Sequence, residues 1–117
     1  MRGDKVAALN LCKFTSNLPV IMVIGGSSGS VAINKAVRAA LPKLLEDFQV
    51  VHICGTDRVD NLLLNQKGYA QFEYLKSELK DVLAMADIVI SRAGANAICE
   101  LLALKKPNLL FFYSKQI

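Results

Sequence analysis

A chain of 117 residues, 53% hydrophobic and 21% charged, has room for one domain with a real core and is too apolar for a disordered protein. Its apolar runs, such as Val20–Ile24, are strand-length and too short to cross a bilayer, and no charged segment followed by a long apolar core opens the chain, so no signal peptide is expected. The net charge of +4 is dispersed, without a Lys/Arg run or interleaved aromatics; it suits an anionic ligand or an acidic membrane surface and gives no case for nucleic acid.

Residues 4–14 read as a short leading helix, with Val6, Ala7, Leu9, Leu11 and Phe14 partly on one face, and Asn17-Leu18-Pro19 breaks it. Val20–Ile24 reads as the first strand, apolar on both faces in the manner of a central parallel strand covered by helices. The loop Gly25-Gly26-Ser27-Ser28-Gly29-Ser30 follows, then a helix carrying Ala32, Ile33, Ala36, Val37, Ala40, Leu41, Leu44 and Leu45 on one stripe. Pro42 falls inside that pattern and is expected to bend or break the helix, because it removes one ladder bond. Residues 49–54 form the second strand, and Gly55-Thr56-Asp57 turns the chain with Thr56 or Asp57 as an N-cap. Residues 58–66 are expected to be a further helix, closed by Gly68. Residues 71–75 read as a third, weaker strand, and Ser77 as the cap of a helix over Leu79, Val82, Leu83 and Met85. Residues 87–91 are the fourth strand, followed by the loop Ser91-Arg92-Ala93-Gly94-Ala95-Asn96. A helix over residues 96–104, with Ile98, Leu101 and Leu102 inward, is ended by Pro107 and precedes a fifth strand at residues 108–113.

This alternation implies an α/β fold: a Rossmann-like three-layer sandwich around a parallel sheet of about five strands, in the order 3-2-1-4-5. In that order the first and fourth strands are neighbours and the winding reverses between them, which is where such sheets bind ligands. The two glycine loops follow those two strands, so both are expected at one crevice. Gly25 and Gly26 let the main chain approach a ligand, while Ser27 and Ser28 add hydroxyl donors. The helix starting near Ser30 aims its N-terminus at the same point, a geometry that binds phosphate. Each N–H to an anionic oxygen contributes ~1.5–3 kcal/mol, so a handful supports micromolar binding. In the second loop Gly94 and Ala95 leave the backbone open, and Asn96 is placed to cap the next helix. Arg92 is either a phosphate counter-charge or a solvated loop cation. Glu100 either accepts ribose hydroxyls or stabilises its helix N-terminus.

Catalytic machinery is not evident. His52, the only histidine, lies within the second strand and reads as a packed or hydrogen-bonded strand residue rather than a general base. The chain lacks a Walker lysine after Gly29 and the Gly-x-Gly-x-x-Gly dinucleotide fingerprint, so no nicotinamide or other cofactor is expected. Cys12, Cys54 and Cys99 have no metal-like spacing and read as buried reduced thiols, so no metal is expected either.

The run from Val23 through Gly25-Gly26-Ser27-Ser28-Gly29-Ser30, with Asn34 beyond it, resembles the Gly-Gly-Ser-x-Gly-Ala…Asn motif of MurG-type glycosyltransferases. Ala86-Asp87-Ile88-Val89-Ile90-Ser91-Arg92-Ala93-Gly94-Ala95, followed by Glu100 and Pro107, resembles their second motif. The resemblance covers residues 19–110 and implies the first part of that family's C-terminal, donor-binding domain, half of a GT-B fold. It implies an enzyme that transfers N-acetylglucosamine from UDP-N-acetylglucosamine to a lipid-linked muramyl-peptide at the inner face of the bacterial membrane, making lipid II for peptidoglycan. It further implies that Gly26 to Ser30 meet the diphosphate, that Gly94 and Ala95 lie on the same ligand, that Glu100 binds the ribose, and that the loop near Leu75 meets the uracil through its backbone. The acceptor domain with its general base is expected outside this chain, so the chain is expected to bind UDP weakly and to transfer nothing alone. A donor subunit working with a separate acceptor subunit, or a non-catalytic nucleotide-binding module, are the other readings. A flank left open by absent strands is expected to favour homo-oligomers.

Overall fold

The computed structural model describes residues 3–24, 30–91 and 110–113. Helix α1 spans Lys5–Cys12 and is followed by strand β1, Val20–Ile24. Helix α2 covers Ser30–Asp47 and β2 covers Gln49–Ile53. Then come β3 (Tyr69–Phe72), α3 (Leu79–Met85), β4 (Ile88–Ser91) and β5 (Leu110–Tyr113). The five strands form one sheet in the order β3-β2-β1-β4-β5, and every neighbouring pair is parallel. This is the doubly wound α/β arrangement, and the order, strand count and switch point agree with the sequence reading.

Period-2 alternation sorts each central strand onto two faces. Val20, Met22, Val51, Ile53 and Val89 turn to one side, where they pack with Ala8, Cys12 and Phe14 of the α1 region and with Val82, Leu83 and Met85 of α3. Ile21, Val23 and Val50 turn to the other, against Val37 and Leu41 of α2 and against Tyr69. Both faces of β1 and β2 are therefore covered, which is why those strands read as near-continuous apolar runs.

Polar side chains lock the N-terminal edge of the sheet. Gln49, 4% exposed, donates from Nε2 to the carbonyls of Thr15 (2.9 Å) and Leu18 (3.2 Å) and accepts from the Thr15 N–H (2.7 Å). The Asp87 carboxylate accepts from the Val20 N–H at 2.9 Å, tying the start of β1 to the entry of β4. At α1 the Asp4 side chain caps the helix by accepting from Ala7 N–H, and Lys13 ends it in the left-handed region at φ 58°.

Four local expectations are corrected, the first being the third strand, expected at residues 71–75, which runs over Tyr69–Phe72. Residues 58–66 hold only a 3-10 turn, Asn61–Leu63, rather than a helix. Asp57 takes a left-handed φ of 59°, the Arg58 carbonyl is held by Arg38, and the Asp60 side chain caps Leu62. Leu62 and Leu64 face solvent at 93% and 57% exposure, so no apolar stripe is buried to support a longer helix. The N-cap of that turn is Asp60 rather than Thr56 or Asp57. Helix α3 begins one residue later than expected, with Glu78 rather than Ser77 at the N-cap and no side-chain cap bond. Helix α2 runs through Pro42 without a break, its Leu41 and Val37 buried against the sheet. The helix expected at residues 96–104 lies outside the described residues.

Candidate functional site

The C-terminal ends of the strands form a rim, and the reversal of winding falls between β1 and β4. In their register Ile24 pairs with Ser91, so the last residue of each strand sits beside the other. Both glycine loops therefore depart from adjacent points of one rim. Of the residues singled out from the sequence, Gly25, Gly26, Ser27, Ser28, Gly29, Arg92, Gly94, Ala95, Asn96 and Glu100 lie outside the described residues. Ser30 opens α2. Leu75 lies between β3 and α3 at the same rim, with its side chain packed against the core beneath.

Asn34 is a turn into α2, and its side chain points inward rather than to the rim's surface. It is 2% exposed; its Nδ2 donates to the Cys54 carbonyl at 2.9 Å and its Oδ1 meets His52 Nε2 at 2.7 Å. Cys54 directly follows β2, and Ile53 pairs with Ile24 in the register. The first turns of α2 are thus held at the level where β1 and β2 end, which sets the helix N-terminus over the rim.

His52 is fully buried, as expected of a packed strand histidine, with its other ring nitrogen, Nδ1, 2.6 Å from the Tyr69 hydroxyl. Burial lowers its pKa from the usual 6.5 to about 4, and the nearby Arg38 guanidinium pushes the same way. The imidazole is therefore neutral at pH 7. Burial raises the Tyr69 phenol to about 12 and also raises the Cys54 thiol. Arg38, four residues along α2 from Asn34, donates to the Arg58 carbonyl (2.7 Å), Gln71 Oε1 (2.9 Å) and the Tyr69 hydroxyl (3.4 Å). Gln71 in turn bonds the backbone of Asp60 in both directions. Every buried side-chain polar atom among the described residues has a partner.

This network was not foreseen from the sequence, although a signal was present. Asn34 shares the inner stripe of α2 with Val37 and Leu41, and His52 shares strand parity with Val50. A polar residue on each buried face needs a polar partner.

Beside the network, at the rim, a cavity of about 350 Å³ is lined by Asn34, Lys35, Arg38, Asp57, Arg58 and Val59. Three cations against one carboxylate give it a positive balance. No metal-holding cluster of His, Cys, Asp or Glu occurs among the described residues, and none of their helices is long and apolar enough to cross a membrane.

Residues 20–117 match the model of the glycosyltransferase family 28 C-terminal domain. The chain is 60% identical over 108 residues to a UDP-N-acetylglucosamine--N-acetylmuramyl-(pentapeptide) pyrophosphoryl-undecaprenol N-acetylglucosamine transferase of Lachnospira eligens, covering 92% of this chain and 30% of the relative. Proteins of the same name from Geobacillus thermodenitrificans and Clostridium botulinum are 60% and 53% identical, over 97% and 99% of this chain and 32% and 33% of their own lengths. The chain thus spans about a third of the length of these curated relatives.

Proposed function

The chain belongs to the glycosyltransferase family 28 C-terminal domain family, and from that premise we propose that it is the sugar-nucleotide donor side of an N-acetylglucosaminyltransferase. The donor is UDP-N-acetylglucosamine and the acceptor a lipid-linked muramyl-pentapeptide, the substrates in the names of its relatives. The observation that carries this reading is the pairing of Ile24 with Ser91, from which both glycine loops leave side by side at the switch point.

In this reading the backbone from Gly25 to Ser30, with the N-terminus of α2, receives the diphosphate. Asn34 supports that helix from below. Gly94, Ala95, Asn96 and Arg92 close on the same ligand from the second loop. Glu100 accepts the ribose hydroxyls, and the backbone near Leu75 meets the uracil two strands along the rim, roughly 10 Å from β1 at ordinary strand spacing. In transfer, an acceptor hydroxyl attacks the anomeric carbon, the bond from that carbon to the diphosphate oxygen breaks, and UDP leaves. The negative charge that grows on the leaving diphosphate is met by N–H groups fixed before the reaction. The hydroxyl proton passes to a base supplied by the acceptor half, which this chain does not carry in our reading. Alone the chain binds donor and transfers nothing. With the acceptor half it works at the cytoplasmic face of the membrane, held there peripherally.

Equilibrium titration of the chain with UDP, UDP-N-acetylglucosamine, ADP and inorganic diphosphate tests this. UDP and the UDP-sugar should saturate while ADP binds more weakly, and Glu100→Ala should weaken UDP more than inorganic diphosphate. No saturable UDP binding, or an equal loss for UDP and diphosphate, would refute the assignment.

A further inference from the structure

We infer that Arg38, Tyr69, His52 and Asn34 form a one-directional hydrogen-bond chain whose task is to fix the N-terminal turns of α2 relative to the sheet, making all four positioning residues for the ligand-facing end of that helix. The consequence for ligand affinity rests on the donor-binding reading, because Ser30, the first residue of α2, closes the loop proposed to hold the diphosphate.

The direction of the chain follows from chemistry. The Cys54 carbonyl only accepts, so the Asn34 group facing it is the NH₂, which leaves Asn34 Oδ1 against His52. That oxygen needs a donor, so the His52 proton sits on Nε2. In the neutral ring Nδ1 is then an acceptor, and the Tyr69 hydroxyl must donate to it. The Tyr69 oxygen is left to accept, and Arg38 Nε–H lies on it. Each group gives in the same sense, from Arg38 through Tyr69, His52 and Asn34 to the backbone at the end of β2. The chain joins α2, β2 and β3, adding to the β2–β3 backbone pairing and to the Arg38–Gln71 bond a directional tie between the first turns of α2 and the end of β2.

Apolar contacts are non-directional and tolerate a sliding or tilting helix. Val37 and Leu41 fix the middle of α2 against the sheet in that looser way. The bond pair at Asn34 admits one height and one rotation of the first turns, since any slip leaves a buried amide or imidazole unpaired. A site built from helix-terminal N–H groups needs that definition: their aim, more than their number, sets the affinity for a diphosphate.

The test compares the 117-residue chain with His52→Phe, His52→Gln and Tyr69→Phe. Phenylalanine fills the space without polar atoms, whereas the glutamine carboxamide offers one donor for Asn34 and one acceptor for Tyr69. At matched folded fraction, the Kd for UDP should rise about tenfold in His52→Phe and stay within about threefold of the parent in His52→Gln. Amide exchange should quicken at Lys35 to Val37 in the phenylalanine variant and remain slow at Leu44 to Glu46. Ring ¹⁵N shifts of the parent should report the Nε2–H tautomer. Should His52→Phe not fold, Tyr69→Phe carries the same test: the Nε2–H tautomer should persist, because Asn34 Oδ1 still needs a donor, while UDP binding weakens and exchange quickens at Lys35 to Val37. An Nδ1–H tautomer in the parent, equal UDP binding by the folded His52 variants, or unchanged exchange would overturn the inference. A parent chain showing the tautomer and the exchange pattern without UDP binding would overturn the donor reading and leave the anchoring of α2 standing.

Discussion

His52 is the sole histidine of the chain, and that makes its burial measurable as pH-dependent stability. In the folded state its pKa is lowered from 6.5 to about 4. The unfolded chain therefore binds a proton that the folded chain refuses, and acid favours unfolding. The contribution is complete above about pH 6.5 and drains as pH falls towards 4. Linkage sets the whole effect at about 3 kcal/mol, of which about 2 kcal/mol is lost between pH 7 and pH 5. In that interval ordinary carboxylates stay ionised and no other side chain has its usual pKa. Of the groups facing the ring, the cation Arg38 from α2 reinforces the effect, while the Tyr69 phenol from β3 and the Asn34 amide are neutral and bring no carboxylate that would hold the imidazolium. Urea unfolding followed by circular dichroism at pH 7, 6 and 5 reads the difference directly. His52→Gln, which cannot titrate, should flatten the profile over the same range, and a proton resonance titration of the imidazole should place its midpoint near 4. A flat profile in the parent chain, or an unchanged slope in the glutamine variant, would refute the reasoning.

Gln49→Ala should destabilise by about 1–3 kcal/mol in thermal unfolding, because the Thr15 N–H and the Thr15 and Leu18 carbonyls lose their shared buried partner; a change below about 0.5 kcal/mol would show that water replaces it freely. Burial pushes the Cys12 thiol up to about 12 and raises Cys54 as well, so a thiol reagent at pH 8 should label both only as fast as the chain unfolds, with peptide mapping separating them from Cys99. Rapid labelling of either in the folded chain would contradict the packing around it.

Much of the architecture was legible because its determinants are local or periodic. The strand Val20–Ile24 is apolar at every position since helices cover both its faces, and its bounds match the sequence reading. Alternation of strands and helices gave the order of the sheet, and with it the shared rim of the two loops. The segment after β2 misled for an identifiable reason. Leu62, Leu63 and Leu64 look like the inner face of a helix, but a left-handed Asp57 and the Asp60 cap direct the chain into a 3-10 turn that leaves Leu62 in water. The start of α3 was misplaced by one residue because Ser77, a good cap former by type, makes no cap bond there. The buried chain through His52 escaped because its bonds join residues 17 and 18 positions apart. Their meeting follows from how α2 packs on the sheet, and only the polar positions on two buried faces advertised it. Asn34, part of the glycine-loop motif, has its amide engaged beneath the rim.

Mapping backbone amides of the ¹⁵N-labelled chain during a UDP titration would decide whether two loops at one rim make a single diphosphate site. Saturable shifts concentrated together at Gly25 to Ser30 and Gly94 to Ala97, with one common dissociation constant, are the predicted result. Shifts confined to one loop, scattered over the cation-lined cavity at Lys35 and Arg58, or absent at millimolar UDP would contradict it.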